Sequence, residues 1–522
     1  MRRLPRFPLW LAAALAYGLA FPSPGLAPLA FVFLVPLLRA VENRRPAAAF
    51  SRFFFFSLAA QLILLYWIPR VMVRYGGTSW FLGIIGLVCL AVFLSFFAGL
   101  AGVLIARFAR RGGFLAAGLW IPAAWVAKDL VVEKVLGGFP WCLAGYSQYR
   151  NAWFRQWAEL GGIHFLTFLL IVANALFYLL LKRRDRRSFL ALAVFLAGVH
   201  AGGLGLLRAH EARAAAVPFH RAGIVQPNSD HDRDFDFAAI QATLDRLFRV
   251  SAELAGRGAE FVVWPEFTVP IYPRQAPYYK EQFLAFSREH APLLAGFTDQ
   301  RGSAGFFNSV MLFSAAGVEA YDKVHLTPFG EYVPLRRQLF FVRKITDEIG
   351  DFSPGARLHN LELAGRGLST PVCYEVIYPE LVRDLVVGGG QAIVTLSNDS
   401  WFGNTSAPRQ HLAMAACRAV ENRRWLLRST SNGISALVDP AGRIVRRLPL
   451  RSEGEFLAEF QYLTAETLFS RWGYRFPYAC LLLALLRLLP APGRRRGPPT
   501  SPAAGRKNRR TSRSAQNAPG AA

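Results

Sequence analysis

The feature that most constrains this chain is a series of long apolar stretches bordered by basic residues. Seven of them precede residue 210 and an eighth lies near the end, at about 8–22, 26–40, 53–69, 80–106, 114–127, 163–181, 189–207 and 474–490. Most of them approach or exceed the roughly 20 apolar residues that a helix needs to cross a bilayer. The chain is therefore expected to be a membrane protein with eight transmembrane helices.

The bordering arginines and lysines predict which loops face the cytoplasm. If MRRLPR at the N-terminus is cytoplasmic, the next cytoplasmic connections are RAVENRRPAAAFSR, RFARR and KRRDRR, which are all strongly basic. The outer connections FPSPG and PRVMVRYGG carry few basic residues, and acidic residues offset those of 128–162. Short basic loops stay inside, so both termini are predicted to be cytoplasmic. A cleaved signal peptide at 1–22 is disfavoured, because Pro22 and Pro24 lead directly into another apolar stretch.

The net charge of +26 comes mainly from the same basic loops and from the C-terminal tail. Residues 213–466 are nearly neutral, so the excess lies in the apolar part and in the tail, which argues against a nucleic-acid surface. The expected organisation is a seven-helix membrane domain at 1–209, a periplasmic domain at 210–471, an eighth helix at 472–491 and a disordered cytoplasmic tail at 492–522. In a bacterium this places the protein in the inner membrane.

The periplasmic segment alternates predicted strands with predicted helices. RAGIVQPN, AEFVVWPE, PLLAGFT, NSVMLFS, GLSTPVCYE and QAIVTLSND have the composition of short buried strands. DFAAIQATLDRLFRVSAELAGRG and RQHLAMAACRAVENRRW have apolar residues at helical spacing, and LLRSTSNGISALVDPAGRIV is typical of a hairpin. This alternation indicates a layered α/β sandwich.

Three reactive side chains stand at the ends of predicted strands: Glu266, Lys323 and Cys373. Each alone has an ordinary explanation, as a solvated loop carboxylate, a surface ion pair and a small buried side chain. Together they provide a base for a thiol proton, a cation for an oxyanion and a nucleophile. Those groups suffice for acyl transfer through a thioester, or for amide hydrolysis.

Four motifs in order resemble a known family. VVWPEF, YDKVHLTPFGEYVP, PVCYEVIYPE and LSNDSWFG resemble the Glu–Lys–Cys motifs of the nitrilase, or carbon–nitrogen hydrolase, superfamily. HLTPFGEYVP and the membrane-part segment GGFPWCLAGYSQ resemble the apolipoprotein N-acyltransferases, which also have seven spans before the catalytic domain and one after it. The resemblance implies an αββα sandwich outside the membrane.

The resemblance also implies roles for individual residues. Glu266 would be the general base, Lys323 the oxyanion-stabilising cation and Cys373 the nucleophile. Three supporting positions match as well: Glu331, Tyr374 and Glu375. The family commonly has a tryptophan after its first strand, whereas VQPNSDHDRDFDF has none, and Phe235 is the candidate to substitute for it.

The implied activity is transfer of an acyl chain from a phospholipid to the α-amino group of the S-diacylglyceryl cysteine of an apolipoprotein. No cofactor, metal or nucleic acid is expected, and the protein is expected to be a monomer. The alternative is a membrane-anchored amidase or nitrilase, which would use the same three residues but has no need of seven preceding spans. A transporter is disfavoured, because the predicted spans are nearly free of charge.

Two segments rich in aromatic or basic residues are candidates for contact with the membrane surface. VPLRRQLFFVRKI, 333–345, predicts either an amphipathic helix over the domain core or an arm at the lipid surface. The tryptophans and tyrosines of 139–157 are consistent with a belt at the membrane interface.

Overall fold

The N-terminal part of the chain is a bundle of apolar helices. In the computed structural model, which describes residues 8–110, 113–229, 237–302, 305–332 and 352–488, the bundle consists of α1 Leu9–Ala20, α2 Leu34–Val41, α3 Pro46–Leu64, α4 Ile68–Tyr75, α5 Trp80–Arg110, α6 Ile121–Lys134, α7 Ala158–Arg183 and α8 Arg186–Ala214. Near the C-terminus, α13 Leu468–Trp472 and α14 Arg475–Leu486 return to this bundle, where α14 packs on α6. The protein is therefore a membrane protein built around several apolar helices.

The predicted count of eight spans is met only in part. Among the described residues, four helical segments are long and apolar enough to cross a membrane: Pro46–Leu64, Trp80–Arg110, Phe154–Arg183 and Arg186–Ala214. The first two predicted spans are the shorter apolar helices Leu9–Ala20 and Ala27–Val41, and the last is Arg475–Leu486. The fifth begins with a π turn and continues as α6 beyond its predicted end at residue 127. That the three shorter helices and the fifth stretch also cross the membrane stays a prediction.

Residues 220–460 form two six-stranded sheets. The first has the order β12-β1-β2-β3-β4-β5 and contains β1 His220–Gln226, β2 Phe261–Val263, β3 Leu293–Gln300, β4 Phe306–Ser314, β5 Gly317–Asp322 and β12 Gly454–Phe460. The second has the order β11-β10-β9-β8-β7-β6 and contains β6 Leu361–Leu363, β7 Arg366–Ser369, β8 Gly390–Ser397, β9 Leu426–Thr430, β10 Ala436–Val438 and β11 Ile444–Arg447. Strand–helix–strand crossovers make β1, β2 and β3 parallel, and likewise β7, β8 and β9.

Alternation of apolar side chains along the strands explains how the sheets stack. In β4, Val310 and Leu312 face the second sheet, whereas Met311 and Phe313 face α9 Phe237–Gly256 and α10 Pro277–Glu289. The same period of two recurs in β8, where one face meets the first sheet and the other meets α11 Pro379–Val387 and α12 Ala407–Asn422. The result is the predicted sandwich of helix, sheet, sheet and helix layers.

The second helix layer of the sandwich is covered by the membrane part. One apolar core contains side chains of α7 together with side chains of α12 and of the second sheet. Buried charges join the same elements, because the Glu421 carboxylate accepts the Ile163 N–H at 2.9 Å and Arg423 donates to Glu159 at 2.6 Å. The two parts are thus packed together and not merely linked in sequence.

Most of the tryptophans and tyrosines at 139–157, which were predicted to form a belt at the membrane interface, are buried inside the protein. Trp141, Tyr146 and Tyr149 are buried against the rest of the protein, whereas Trp153 is exposed. The belt interpretation was therefore wrong for these three, because the segment folds into short 3₁₀ turns beneath α12. Phe235, the segment 333–345 and the tail 492–522 lie outside the described residues.

Candidate active site

The three predicted reactive residues converge between the two sheets. Glu266 follows β2, Lys323 follows β5 directly, and Cys373 opens a 3₁₀ turn, Cys373–Ile377, that follows β7. Glu266 and Lys323 are 2% and 1% exposed, and Cys373 is 8% exposed. Lys323 Nζ lies 3.7 Å from Glu266 Oε1, and the Glu266 carboxylate lies close enough to the Cys373 thiol for its charge to raise the pKa of that thiol. The sequence prediction that these residues share one site agrees with this placement.

Glu266 is held in a fixed orientation by donors on both of its oxygens. Asn308 Nδ2 donates to Oε1 at 2.7 Å, and the backbone N–H of Asn398 donates to Oε2 at 2.7 Å. Gly296 in β3 permits this position, because a Cβ there would lie 2.7 Å from Glu266 Cα. Burial raises the pKa of Glu266 above its ordinary value, although the Lys323 charge opposes the shift. A carboxylate with a raised pKa and a thiol beside it is suited to act as a base.

Lys323 is clamped by the second predicted carboxylate. Its ammonium donates to Glu331 at 2.8 and 3.0 Å and to Thr327 Oγ1 at 3.3 Å. Asn308 Nδ2 also donates to Glu331, at 2.6 Å, so this amide connects the two carboxylates. Burial disfavours the charge, but Glu331 and Glu266 outweigh burial and raise the pKa of Lys323 above its ordinary value. The lysine is therefore a permanent cation in the same site as Cys373.

Cys373 occupies a backbone conformation that L-residues rarely adopt, with a φ of 47°. Burial, followed by the nearby Glu266 charge, raises the pKa of the Cys373 thiol well above its ordinary value. The resting side chain is thus a neutral thiol, and reaction requires its proton to be removed as the sulfur attacks. Glu266 is the neighbouring acceptor for that proton.

Glu375 joins the two loops that carry Lys323 and Cys373. Its carboxylate accepts the backbone N–H groups of Val324, His325 and Val372 at 2.8–2.9 Å and the Tyr321 hydroxyl at 3.1 Å. Burial raises the pKa of Glu375 to about 7, against the lowering effect of these donors. Its contacts are those of a residue that positions the site.

Tyr374 lies on the side of the site that faces the membrane part. Its ring is 5.5 Å from that of Tyr378, whose hydroxyl donates to the carbonyl oxygens of Gly137 and Gly138 at 3.3 and 3.1 Å. The loop after α6 therefore accepts hydrogen bonds from Tyr378, at the end of the turn that begins with Cys373.

An aromatic cluster from both parts of the protein continues from this side. Trp67 and Trp141 of the membrane part contact Phe402, with ring centroids 5.1 and 5.9 Å apart. Both indole N–H groups donate to Gln410 Oε1, and the ring of Trp141 lies 5.8 Å from that of His411. Trp67, Trp141 and Phe402 thus form a largely buried aromatic cluster near Cys373.

Several residues at the site were not identified from sequence. Asn308 connects the carboxylates, Ser397 Oγ lies 3.3 Å from Cys373 Sγ, and Asn398 binds Glu266 through its backbone. Asn308 and its neighbour Ser309 are polar residues in an otherwise apolar strand, and Ser397 and Asn398 belong to the LSNDSWFG motif. These polar residues could have been singled out from the sequence. The residues that they contact, however, come from distant segments of the chain, which the sequence pattern does not identify. No group of three metal-ligating side chains occurs among the described residues.

Comparison with known proteins gives matches along both parts of the chain. Residues 13–176 match the model of the apolipoprotein N-acyltransferase N-terminal domain, and residues 221–468 match that of the carbon–nitrogen hydrolases. The apolipoprotein N-acyltransferase of Geobacter metallireducens is 34% identical over 479 residues, which cover 89% of this chain and 91% of that protein. The enzyme of the same name from Azotobacter vinelandii is 35% identical, covering 92% and 93% of the two chains.

Among solved structures, an amidase from Nesterenkonia sp. is similar to the sandwich part. It is 22% identical and covers 48% of this chain and 95% of its own, with a TM-score of 0.37.

Proposed function

Because the chain belongs to the apolipoprotein N-acyltransferase family, we propose that it transfers an acyl chain from a phospholipid to the N-terminal α-amino group of an S-diacylglyceryl apolipoprotein. The observation that carries the proposal is the convergence of Glu266, Lys323 and Cys373 in a buried site that is joined to the loop after α6 of the membrane part. A site attached to membrane helices suits an acyl donor that lies in the bilayer, whereas a water-soluble substrate would not need that attachment.

The first half-reaction forms the acyl-enzyme. Glu266 takes the thiol proton of Cys373 while the sulfur attacks the ester carbonyl of the phospholipid, and a C–S bond forms. The Lys323 ammonium stabilises the oxyanion of the tetrahedral intermediate. The ester C–O bond then breaks, and the lysophospholipid leaves with the proton held by Glu266.

The second half-reaction forms the amide. The lipoprotein amine attacks the thioester carbonyl, a C–N bond forms and the C–S bond breaks. Glu266 accepts the amine proton and returns it to the Cys373 sulfur, which restores the resting thiol. Water competes with the amine for the thioester, so the burial of Cys373 favours transfer over hydrolysis.

We further propose the membrane arrangement. Residues 1–209 would hold seven spans, 210–471 the periplasmic catalytic domain, 472–491 an eighth span, and 492–522 a cytoplasmic tail in a bacterial inner membrane. The basic short loops support this orientation. The protein would act as a monomer, since the site is assembled from one chain.

The amidase alternative is supported less well. It would use the same triad, but the similarity to the acyltransferases covers the membrane part as well as the sandwich. An amidase would also have no need of the close packing of Tyr378 against Gly137 and Gly138.

A chase experiment tests the proposal. The purified protein is incubated with a phospholipid labelled on its acyl chain, freed of excess lipid, and then given a diacylated lipopeptide with a free amino terminus. We expect a hydroxylamine-sensitive label on the protein that passes to the lipopeptide as an amide. Label that is released only as free fatty acid, with or without lipopeptide, would support a hydrolase instead.

A further inference from the structure

We propose that Ser397 is a further catalytic residue, which stabilises the Cys373 sulfur whenever it carries negative charge, and that Asp399, His411 and Arg428 position it. This inference rests on the proposed function, because it concerns the nucleophile of the same reaction. No step assigned above involves these four residues.

Ser397 touches the reacting atom directly. It is the last residue of β8, is fully buried, and its Oγ lies 3.3 Å from Cys373 Sγ. The same hydroxyl lies 2.9 Å from Asp399 Oδ1. One hydroxyl proton can serve only one of these acceptors at a time. With a neutral thiol it satisfies the carboxylate, and with a thiolate it turns to the sulfur.

Asp399 and Arg428 restrict that hydroxyl to these two directions. Arg428 Nη2 lies 2.9 Å from both oxygens of Asp399 and 3.3 Å from Ser397 Oγ. Both charged side chains are fully buried, so the pair is held at low dielectric. Because the positive charge of Arg428 repels the serine proton, that proton points away from Arg428, towards sulfur or carboxylate.

His411 holds the backbone of the nucleophile. Its Nε2 lies 3.1 Å from the carbonyl oxygen of Cys373, an acceptor, so Nε2 must carry the proton. Its Nδ1 lies 3.1 Å from Arg428 Nη2 and 3.2 Å from Asp399 Oδ1, so the ring also contacts the buried charged pair. Burial and the Arg428 charge lower the pKa of His411, which keeps the ring neutral. The histidine thereby anchors the unfavourable φ of Cys373.

The proposed hydrogen bond from Ser397 to the Cys373 sulfur acts in both half-reactions. In acylation the sulfur gains charge as Glu266 removes its proton, and in amide formation the C–S bond breaks and the sulfur leaves with the electron pair. The Ser397 proton is donated to sulfur at both points and returns to Asp399 once the sulfur is bonded to carbon or hydrogen. A hydrogen bond of this kind to a charged group changes a rate by about tenfold or more.

The test compares Ser397→Ala with Ser429→Ala, a matched change at a buried serine of β9 that donates only to the Val225 carbonyl. The readouts are Cys373 alkylation by iodoacetamide, followed by peptide mapping, and steady-state acyl transfer. We expect Ser397→Ala to lower the alkylation rate and kcat about tenfold, with the KM for phospholipid and the melting temperature unchanged. Ser429→Ala should match wild type in all of them.

His411 provides the second comparison. His411→Gln, which retains a donor for the Cys373 carbonyl, should keep more kcat than His411→Leu at equal melting temperature. Wild-type alkylation and kcat in Ser397→Ala would overturn the inference, as would a loss of kcat that only follows a lower melting temperature. Alkylation does not involve the substrate, so it tests the role of Ser397 separately from the proposed function. Absence of any acyl adduct on the wild-type protein would instead refute the proposed function.

Discussion

At the residue scale, Lys323 is the cation on which the proposed oxyanion stabilisation depends. Replacing it with methionine removes one strong donor from the transition state, and we expect kcat to fall by about 10²–10³. The measurement is single-turnover acyl transfer to a lipopeptide, with the melting temperature recorded in parallel. Lys280→Met, on the exposed face of α10, is the control. A well-folded Lys323→Met protein with wild-type turnover would show that the lysine only balances Glu331.

The raised pKa of Glu266 predicts how acyl-enzyme formation depends on pH. Below that pKa the carboxyl is protonated and cannot accept the thiol proton, so the rate should fall as the pH is lowered. The midpoint should lie above the value of about 4.3 for an ordinary glutamate. Rapid-quench measurement of acyl-enzyme formation across pH tests this. Glu266→Gln should be slow at every pH; a Glu266→Gln protein with the same acid limb as wild type would assign that limb to another group.

The reactive residues could be predicted from sequence, whereas their surroundings could not. Glu266, Lys323 and Cys373 stand out because each follows a predicted strand and their motifs occur in a recognisable order. The connecting role of Asn308 and the contact of Ser397 with Cys373 depend on atoms 23 to 42 residues away, which no local pattern reveals. Glu375 was predicted as a supporting residue, and only its backbone partners identify it as a link between loops.

At the element scale, α12 carries the contact between the sandwich and the membrane part. Arg418 and Glu421 on this helix are both fully buried and paired at 3.0 Å. Removing one member leaves an uncompensated charge in the interior, so Arg418→Met should lower the free energy of unfolding by about 3–5 kcal/mol. The double variant Arg418→Met/Glu421→Leu should recover much of this loss.

Thermal unfolding in detergent measures both effects. The control is Arg471→Ala, which removes an exposed pair with Glu466 and should change the melting temperature little. Equal melting temperatures for wild type and Arg418→Met would mean that water reaches the pair.

Elements were predictable where a simple period governs them. The alternating strands of the sandwich and helix α9 lie where the sequence placed them, because one face of each is buried in a core. Helix α12 also lies where it was predicted, and it is buried on almost every side between the second sheet and the membrane part. The short apolar stretches at the N-terminus were harder, since FPSPG and the bend after residue 31 break them into helices too short to cross alone. Composition identifies an apolar stretch but does not fix where a helix within it ends.

At the scale of the whole molecule, the proposed topology places the sandwich outside and the short basic loops inside. Arg257→Cys, exposed at the end of α9, should react with a membrane-impermeant maleimide added to intact spheroplasts. Arg187→Cys, exposed in the first turn of α8, should react only after permeabilisation. Both are introduced in a background without Cys89. The reverse pattern would invert the topology.

The central claim is that Cys373 carries the acyl group. The most direct test is mass spectrometry of the purified protein after exposure to a phospholipid of defined acyl chains, with peptide mapping, beside Cys373→Ala treated identically. The account predicts an added mass of one acyl group on the peptide that contains Cys373, lost on treatment with hydroxylamine and absent from Cys373→Ala. An acyl adduct that persists in Cys373→Ala, or that maps to another residue of wild type, would contradict it.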